Sequence, residues 1–333
     1  MALAITAETT DTTTRQQILD LLGAENLGIL RSQAHAIWNA NYNDDGLTKS
    51  ILASSLWLSD KRKFNAKTIE KIVNNYYAST FIGEMGTEDF NKTYRDWLNE
   101  QTGGLLKDQI DDKELDEDLV MAIDTTLYYK APWMYPFEKS ETKQAQFYSK
   151  NGTKMCDFMN GEMLGDYYWG ENFSAVSKKT QDDGEMFFIL PDEGVDVETL
   201  LNDKEALDFM TFDFEWKNSK NMIINLSVPK FDVSSEMELS ENLKNLGVTD
   251  CFVSGVADFS PLLSDEDELA DKDLLYVDTV NHGVRVGIDE ESVTGAAYTE
   301  ILVSAGANPP DDKIDFVVDR PFIFVVKSSD SLP

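Results

Sequence analysis

Cysteine is scarce: the 333 residues contain Cys156 and Cys251 and no other. The two stand far apart and match neither a metal-ligand nor a dithiol spacing, so a cysteine-held zinc and a CxxC redox centre are excluded. Free, buried thiols are expected rather than a disulfide. Histidine is equally sparse, with only His35 and His282. A Ser-His-Asp triad would need one of them, and neither stands beside a credible nucleophile in sequence. There is no G-x-S-x-G elbow, no G-x-x-x-x-G-K-[ST] phosphate loop and no G-x-G-x-x-G turn. No run of 18 apolar residues occurs, so no membrane span is expected. Met1–Ala7 is mostly apolar and lacks a basic leader region.

Positive charge is the other shortage. Lys and Arg number 29 against 61 Asp and Glu, a formal charge of −32. Such a field repels phosphate backbones and anionic lipid, which argues against nucleic-acid and membrane partners. Acidic pairs such as Glu290-Glu291 arise by chance in so acidic a chain, and none stands out as a glycosidase pair. Asn41–Gly46 resembles the start of a calcium loop, but its twelfth position is Leu52 where a bidentate Glu is needed. A plain turn is expected there, and neither a metal nor a cofactor is called for.

What is present suits a folded protein: 42% hydrophobic, 27% charged and 11% aromatic residues. Periodicity predicts helices over 13–22, 65–78 and 87–101, the last closed by Gly103-Gly104. Strand-like runs follow at 119–129, 186–190, 222–228, 274–288 and 314–327. Helices lead and strands follow, so the fold class is α+β. No repeat or low-complexity linker interrupts residues 1–333, which read as one domain. Ser264–Asp273 is an acidic run expected to be a solvated loop.

Several segments resemble the serpins, in that family's order. Ser54-Ser55-Leu56-Trp57 resembles N-S-L-W. Leu127–Trp133 with Pro136-Phe137 matches I-Y-F-K-G-x-W-x-x-P-F. Leu190–Gly194 matches L-P-D-E-G and Val228–Phe231 matches L-P-K-F. Leu246–Phe252 followed by Ala257–Ser260 matches L-G-I-T-D-x-F…A-D-F-S, and Arg320–Phe324 matches R-P-F-x-F. No one of these is specific, but together and in order they cover nearly the whole chain. The resemblance implies a serpin fold, with helices packed around a large main sheet and smaller sheets. It also implies a protein that is not an enzyme. A target serine protease would attack an exposed reactive-centre loop, be caught as a covalent acyl-enzyme, and be carried along as the loop inserts into the main sheet. The resemblance further implies a secreted, extracellular monomer. It places a first helix ahead of Met1 and a final strand beyond Pro333.

The family opens its hinge with a Glu seventeen residues before the cut. Counting from Glu290 puts the cut between Gly306 and Ala307, with Ala305 and Asn308 as alternatives, in a loop of about residues 290–315. The hinge is then Glu290, Glu291, Ser292, Val293, Thr294, Gly295, Ala296 and Ala297. To become a central strand the loop must alternate. Val293, Gly295, Ala297, Thr299, Ile301 and Val303 are all small or apolar, and no Pro interrupts 292–305. A strand of about a dozen residues gains ladder bonds on both sides, on the order of 10–20 kcal/mol. No Lys or Arg lies between Glu290 and Asp312. A small residue at the cut therefore suits elastase-like or subtilisin-like pockets rather than trypsin-like ones. Against the family pattern, Ser292 replaces a Gly, Val293 a Thr or Ser, and Tyr298 a small residue. The alternative reading is a non-inhibitory serpin, a carrier, chaperone or storage protein whose loop is a plain substrate. His282 stands at the family's buried sheet histidine. Thr125 replaces its Asn in the sheet-opening region, and Phe173 its Trp.

Overall fold

Side-chain caps set the starts of three of the helices, those that begin at Thr12, Leu27 and Ala66. In the computed structural model, which describes residues 1–44, 48–181, 183–211, 216–267, 274–293 and 312–327, the helices are α1 (Ala2–Thr9), α2 (Thr12–Leu21), α3 (Leu27–Asn41), α4 (Ala66–Tyr76), α5 (Glu88–Gln101), α6 (Lys107–Ile110), α7 (Val197–Leu200), α8 (Lys204–Thr211) and α9 (Ser240–Asn245). Asn26 caps α3 by accepting from the Ile29 amide at 3.1 Å, and Asn65 caps α4 from Lys67 at 3.1 Å. Asp11 caps α2, so the helix starts at Thr12, one residue before the predicted 13–22. Gly103 and Gly104 both take positive φ after α5, the backbone state that glycine tolerates at a helix end.

The strands are β1 (Asn43–Asp44), β2 (Lys49–Ser59), β3 (Ser79–Gly83), β4 (Met121–Pro132), β5 (Lys143–Ser149), β6 (Gly152–Trp169), β7 (Phe173–Lys179), β8 (Glu185–Pro191), β9 (Ser219–Pro229), β10 (Phe231–Glu238), β11 (Asn281–Ile288), β12 (Ser292–Val293), β13 (Lys313–Val317) and β14 (Ile323–Lys327). One seven-stranded sheet has the order β1-β2-β4-β12-β11-β10, with β3 on β2. The other has the order β13-β9-β6-β7-β8-β14, with β5 on β6. The fold class is α+β, as the sequence predicts.

The chain forms two compact units, one of residues 1–43, 50–128 and 234–285, the other of 44–49, 129–233 and 286–333. In the first, α1, α2 and α4 bury Ile5, Ile18, Ile72 and Tyr76 against Leu56 and Leu58 of β2. Within that core Glu8 is buried and satisfied: Arg31 grips both carboxylate oxygens at 2.6 and 2.8 Å, and the Tyr76 hydroxyl donates at 3.0 Å. A bidentate pair of this kind is what makes a buried carboxylate tolerable. A second cluster gathers Trp57, Tyr94, Trp97 and Leu98 around the inner face of α5.

In the second unit β9 alternates as predicted, with Met222, Ile224, Leu226 and Val228 all turned inward. They join Trp133, Phe137, Met159, Val176 and Phe188 in one core. Phe187 and Ile189 of β8 point the other way, into a cluster with Phe209 and Trp216. Both faces of β8 are thus covered, which is why its sequence is a continuous apolar run.

The predicted strand at 314–327 is two strands, because Arg320-Pro321 breaks the pattern and Pro cannot donate to a ladder. The strand predicted from 274 begins only at Asn281. Val277 and Val280, three apart, pack singly against the first core without a period-two pattern. Both cysteines are free, but only Cys251 is buried; Cys156 is half-buried.

Candidate functional site

The residues expected as the hinge form a tight reversal between β11 and β12. The Asp289 side chain builds it: Oδ1 accepts from the amides of Glu291 and Ser292, each at 2.9 Å. The Asp289 amide donates back to the Ser292 carbonyl at 3.0 Å. This is the Asx-type turn that Asp favours, since its side chain mimics a backbone acceptor. The chain then runs back between two strands. Val293 pairs with Ile288 of β11 on one side and with Ala131 of β4 on the other, while Ser292 pairs with Pro132. Both pairings are antiparallel. Ser292 and Val293 are 0% and 1% exposed, so β12 is a central strand of two residues covered on both faces.

The segment after β4 receives the turn. The Trp133 amide donates to the Glu291 carbonyl at 2.9 Å, and the Phe137 amide to the Glu290 carbonyl at 2.8 Å. The Trp133 indole Nε1 donates to the Asp289 carbonyl at 2.9 Å. All three hinge carbonyls therefore have partners from one five-residue stretch. Trp133 is fully buried and meets Phe137 edge to face.

Glu290 is a buried carboxylate with both oxygens occupied. Thr142 Oγ1 donates to Oε1 at 2.9 Å and Lys230 Nζ to Oε2 at 2.7 Å. Burial alone would push its pKa up, but the bonds from Lys230, its own backbone and Thr142 outweigh it and hold the group below the usual carboxylate range. Glu291 instead turns outward and pairs with exposed Lys139. A rim pair of that kind contributes little.

On the far side of the loop the chain re-enters at Asp312, whose carbonyl accepts from the Ile223 amide at 3.0 Å. β13 then runs parallel to β9, with Ile314 and Phe316 in the core. The loop between these anchors contains Thr294, Gly295, Ala296, Ala297, Tyr298, Ala305, Gly306, Ala307 and Asn308, which lie outside the described residues.

Of the sequence-expected hinge residues, Glu290, Glu291, Ser292 and Val293 come together as one site. The three residues expected in the sheet-opening region, His282, Phe173 and Thr125, lie outside this turn. His282 lies on β11 with its side chain exposed. It is not a buried core group, because burial along β11 rises only toward Ile288 at the opposite end. Phe173 is not at a sheet opening. It starts β7 in the second sheet, 2% exposed, and packs on Phe209 with ring centroids 5.1 Å apart. The aromatic residue at the hinge is Trp133, which the I-Y-F-K-G-x-W pattern already marked. Thr125 is half-buried on β4, its Oγ1 3.5 Å from Ser54 Oγ.

Lys178 was not foreseen. It is 7% exposed on β7, donates to the Tyr135 carbonyl at 2.6 Å, and sits 4.3 Å from the Phe137 ring centroid. The signal was available: alternation along β7 puts Lys178 on the face of buried Val176, a charge at a core position.

A mixed α+β fold with two seven-stranded sheets, one of which holds a two-residue strand between β4 and β11, defines a class of protein. The chain matches the family model described as Serpin (serine protease inhibitor) over residues 1–332. It belongs to the serpin family. Plasminogen activator inhibitor 1 of Neovison vison is 28% identical over 269 residues, 76% of this chain and 63% of that protein. The match thus spans less than two thirds of that relative's length. The thermophilic serpin tengpin, in its native state, superposes with a TM-score of 0.81 at 25% identity, over 100% of this chain and 84% of that one. Human thyroxine-binding globulin superposes with a TM-score of 0.80 at 19% identity, over 99% of this chain and 86% of that one. That last likeness concerns the fold alone.

Proposed function

We propose that this serpin is a suicide-substrate inhibitor of elastase-like or subtilisin-like serine proteases. It acts as a single-domain monomer outside the cell. The loop following Val293 offers the bond between Gly306 and Ala307, with Ala305 and Asn308 as neighbouring alternatives. The protease supplies the nucleophile, and this chain supplies the peptide bond. After acylation, residues 294 onward continue the strand that Ser292 and Val293 begin and drag the protease with them.

The observation that carries this reading is β12. Its two residues hold a central place between β4 and β11 and pair antiparallel to both, so each further residue extends a ladder already started. A barrier, not equilibrium, must then hold the remaining loop out of the sheet. The departure at Val293 is no obstacle to entry, since the side chain sits in the core with Ile288. The carrier reading rests on the same departures and predicts loop cleavage without capture.

The test is incubation with a panel of elastase-like, subtilisin-like and trypsin-like proteases, read by denaturing gel and mass spectrometry. The expected result is an SDS-resistant complex with the first two groups and a scissile bond within 305–308. Cleavage in that window with no complex from any protease would overturn inhibition. Strong capture of trypsin at a bond inside the loop would overturn the specificity.

A further inference from the structure

Lys178 is an unusual group to find beneath a hinge. Its residue is nine-tenths buried, and among the described residues no carboxylate pairs with it. Its ammonium spans the segment that receives the hinge. Nζ holds the Tyr135 carbonyl at 2.6 Å, lies 4.3 Å from the Phe137 ring centroid and 5.6 Å from that of Trp133. Those two rings belong to the residues whose N–H groups take the carbonyls of Asp289, Glu290 and Glu291. A cation over an aromatic face, desolvated, is a substantial contact. One side chain on β7 therefore fixes the middle carbonyl and both flanking rings of the stretch 133–137.

We propose that Lys178 is a positioning residue for loop insertion, holding residues 133–137 in the geometry that anchors the turn from which β12 grows. It touches neither the scissile bond nor the protease. Insertion extends from β12, so the hinge is the fixed end of the growing strand, and a loose fixed end slows growth. While insertion is slow, water releases the acylated protease and the inhibitor is spent as substrate. The consequence for inhibition rests on the proposed function; the consequence for the hinge does not.

Two variants separate this role from mere packing. Lys178→Met keeps the stem and loses the charge and the donor. Lys178→Arg keeps both. Hydrogen exchange is followed at the amides of Trp133 and Phe137, with the long β6–β9 ladder as the internal reference. The number of inhibitor molecules consumed per protease trapped is measured in parallel. Lys178→Met is expected to speed exchange at those two amides about tenfold or more, the scale of losing one charge-assisted bond, with β6–β9 unchanged. It is also expected to raise the number consumed per trapped protease. Lys178→Arg is expected to behave as the native chain in both. Native exchange at Trp133 and Phe137 in Lys178→Met would overturn the proposal. So would exchange accelerated equally in β6–β9, which would mark a general packing role. A chain that traps no protease yet shows the localised exchange change supports the clamp and removes the inhibitor reading.

Discussion

The Tyr94 hydroxyl of α5 donates to Asp124 Oδ1 of β4 across 3.0 Å. Asp124 is half-buried, and its other oxygen, Oδ2, is buried with no partner among the described residues. The same face of β4 meets the end of α5 closely, for a Cβ on Gly103 would stand 2.8 Å from the Tyr128 ring. Burial pushes the Asp124 carboxyl up to about 6, against the opposing pull of Tyr94 and Lys113. A carboxylate that binds its proton more tightly in the fold than in the open chain favours the fold at low pH. That contribution is full below its unfolded value near 3.8 and is lost as pH rises through about 6.

Asp124→Asn should therefore stabilise the protein at about pH 7.5, by roughly 1–3 kcal/mol, because the amide still accepts from Tyr94 without a buried charge. Thermal unfolding across pH 4 to 8 checks this. The gain of the variant over the native chain should shrink steadily below about pH 6.

Glu290 carries the opposite sign. Its pKa is held down in the fold, so its stabilisation is present above its unfolded value near 4.5 and is lost as pH falls through the lower folded value. Glu290→Gln keeps the Thr142 contact and loses the ionic bond from Lys230. The loss is about 1–2 kcal/mol, discounted because Lys230 is partly exposed. Urea unfolding at neutral pH should show that cost, and the difference from the native chain should vanish in acid.

The two thiols should separate in reactivity. Burial pushes the Cys251 thiol up to about 11, and the thiolate is the reactive form. A maleimide applied to the folded protein should label half-buried Cys156 and spare Cys251 until denaturant is added. Mass spectrometry of the digests reads both sites. Equal labelling in the folded state would contradict the burial of Cys251.

Much of this was legible because periodicity survives wherever one face is buried. α4 and α5 announce themselves by stripes ending in Tyr76 and Leu98, and β9 by Met222, Ile224, Leu226 and Val228. β6 was missed: Gly152, Gly161 and Gly165, with interspersed acids, dilute its pattern although ladders on both sides define it over eighteen residues. In the turn after β11, Glu290 and Val293 were singled out by the family resemblance. The partners that hold them were not. Thr142 and Lys230 lie 148 and 60 residues from Glu290, and long-range pairs leave no local trace. Phe173 was misplaced because counting along a chain does not say which sheet a strand joins.

The central claim concerns the residues that follow Val293. Traces of an elastase-like or subtilisin-like protease should nick the loop within 305–308, and the nicked protein, freed of protease, should be compared with the intact chain by thermal unfolding. Completing a central strand should raise the midpoint by roughly 10–30 °C, given 10–20 kcal/mol of new ladder and the unfolding entropy of a chain this size. An unchanged midpoint would mean that the cut loop stays outside the sheet.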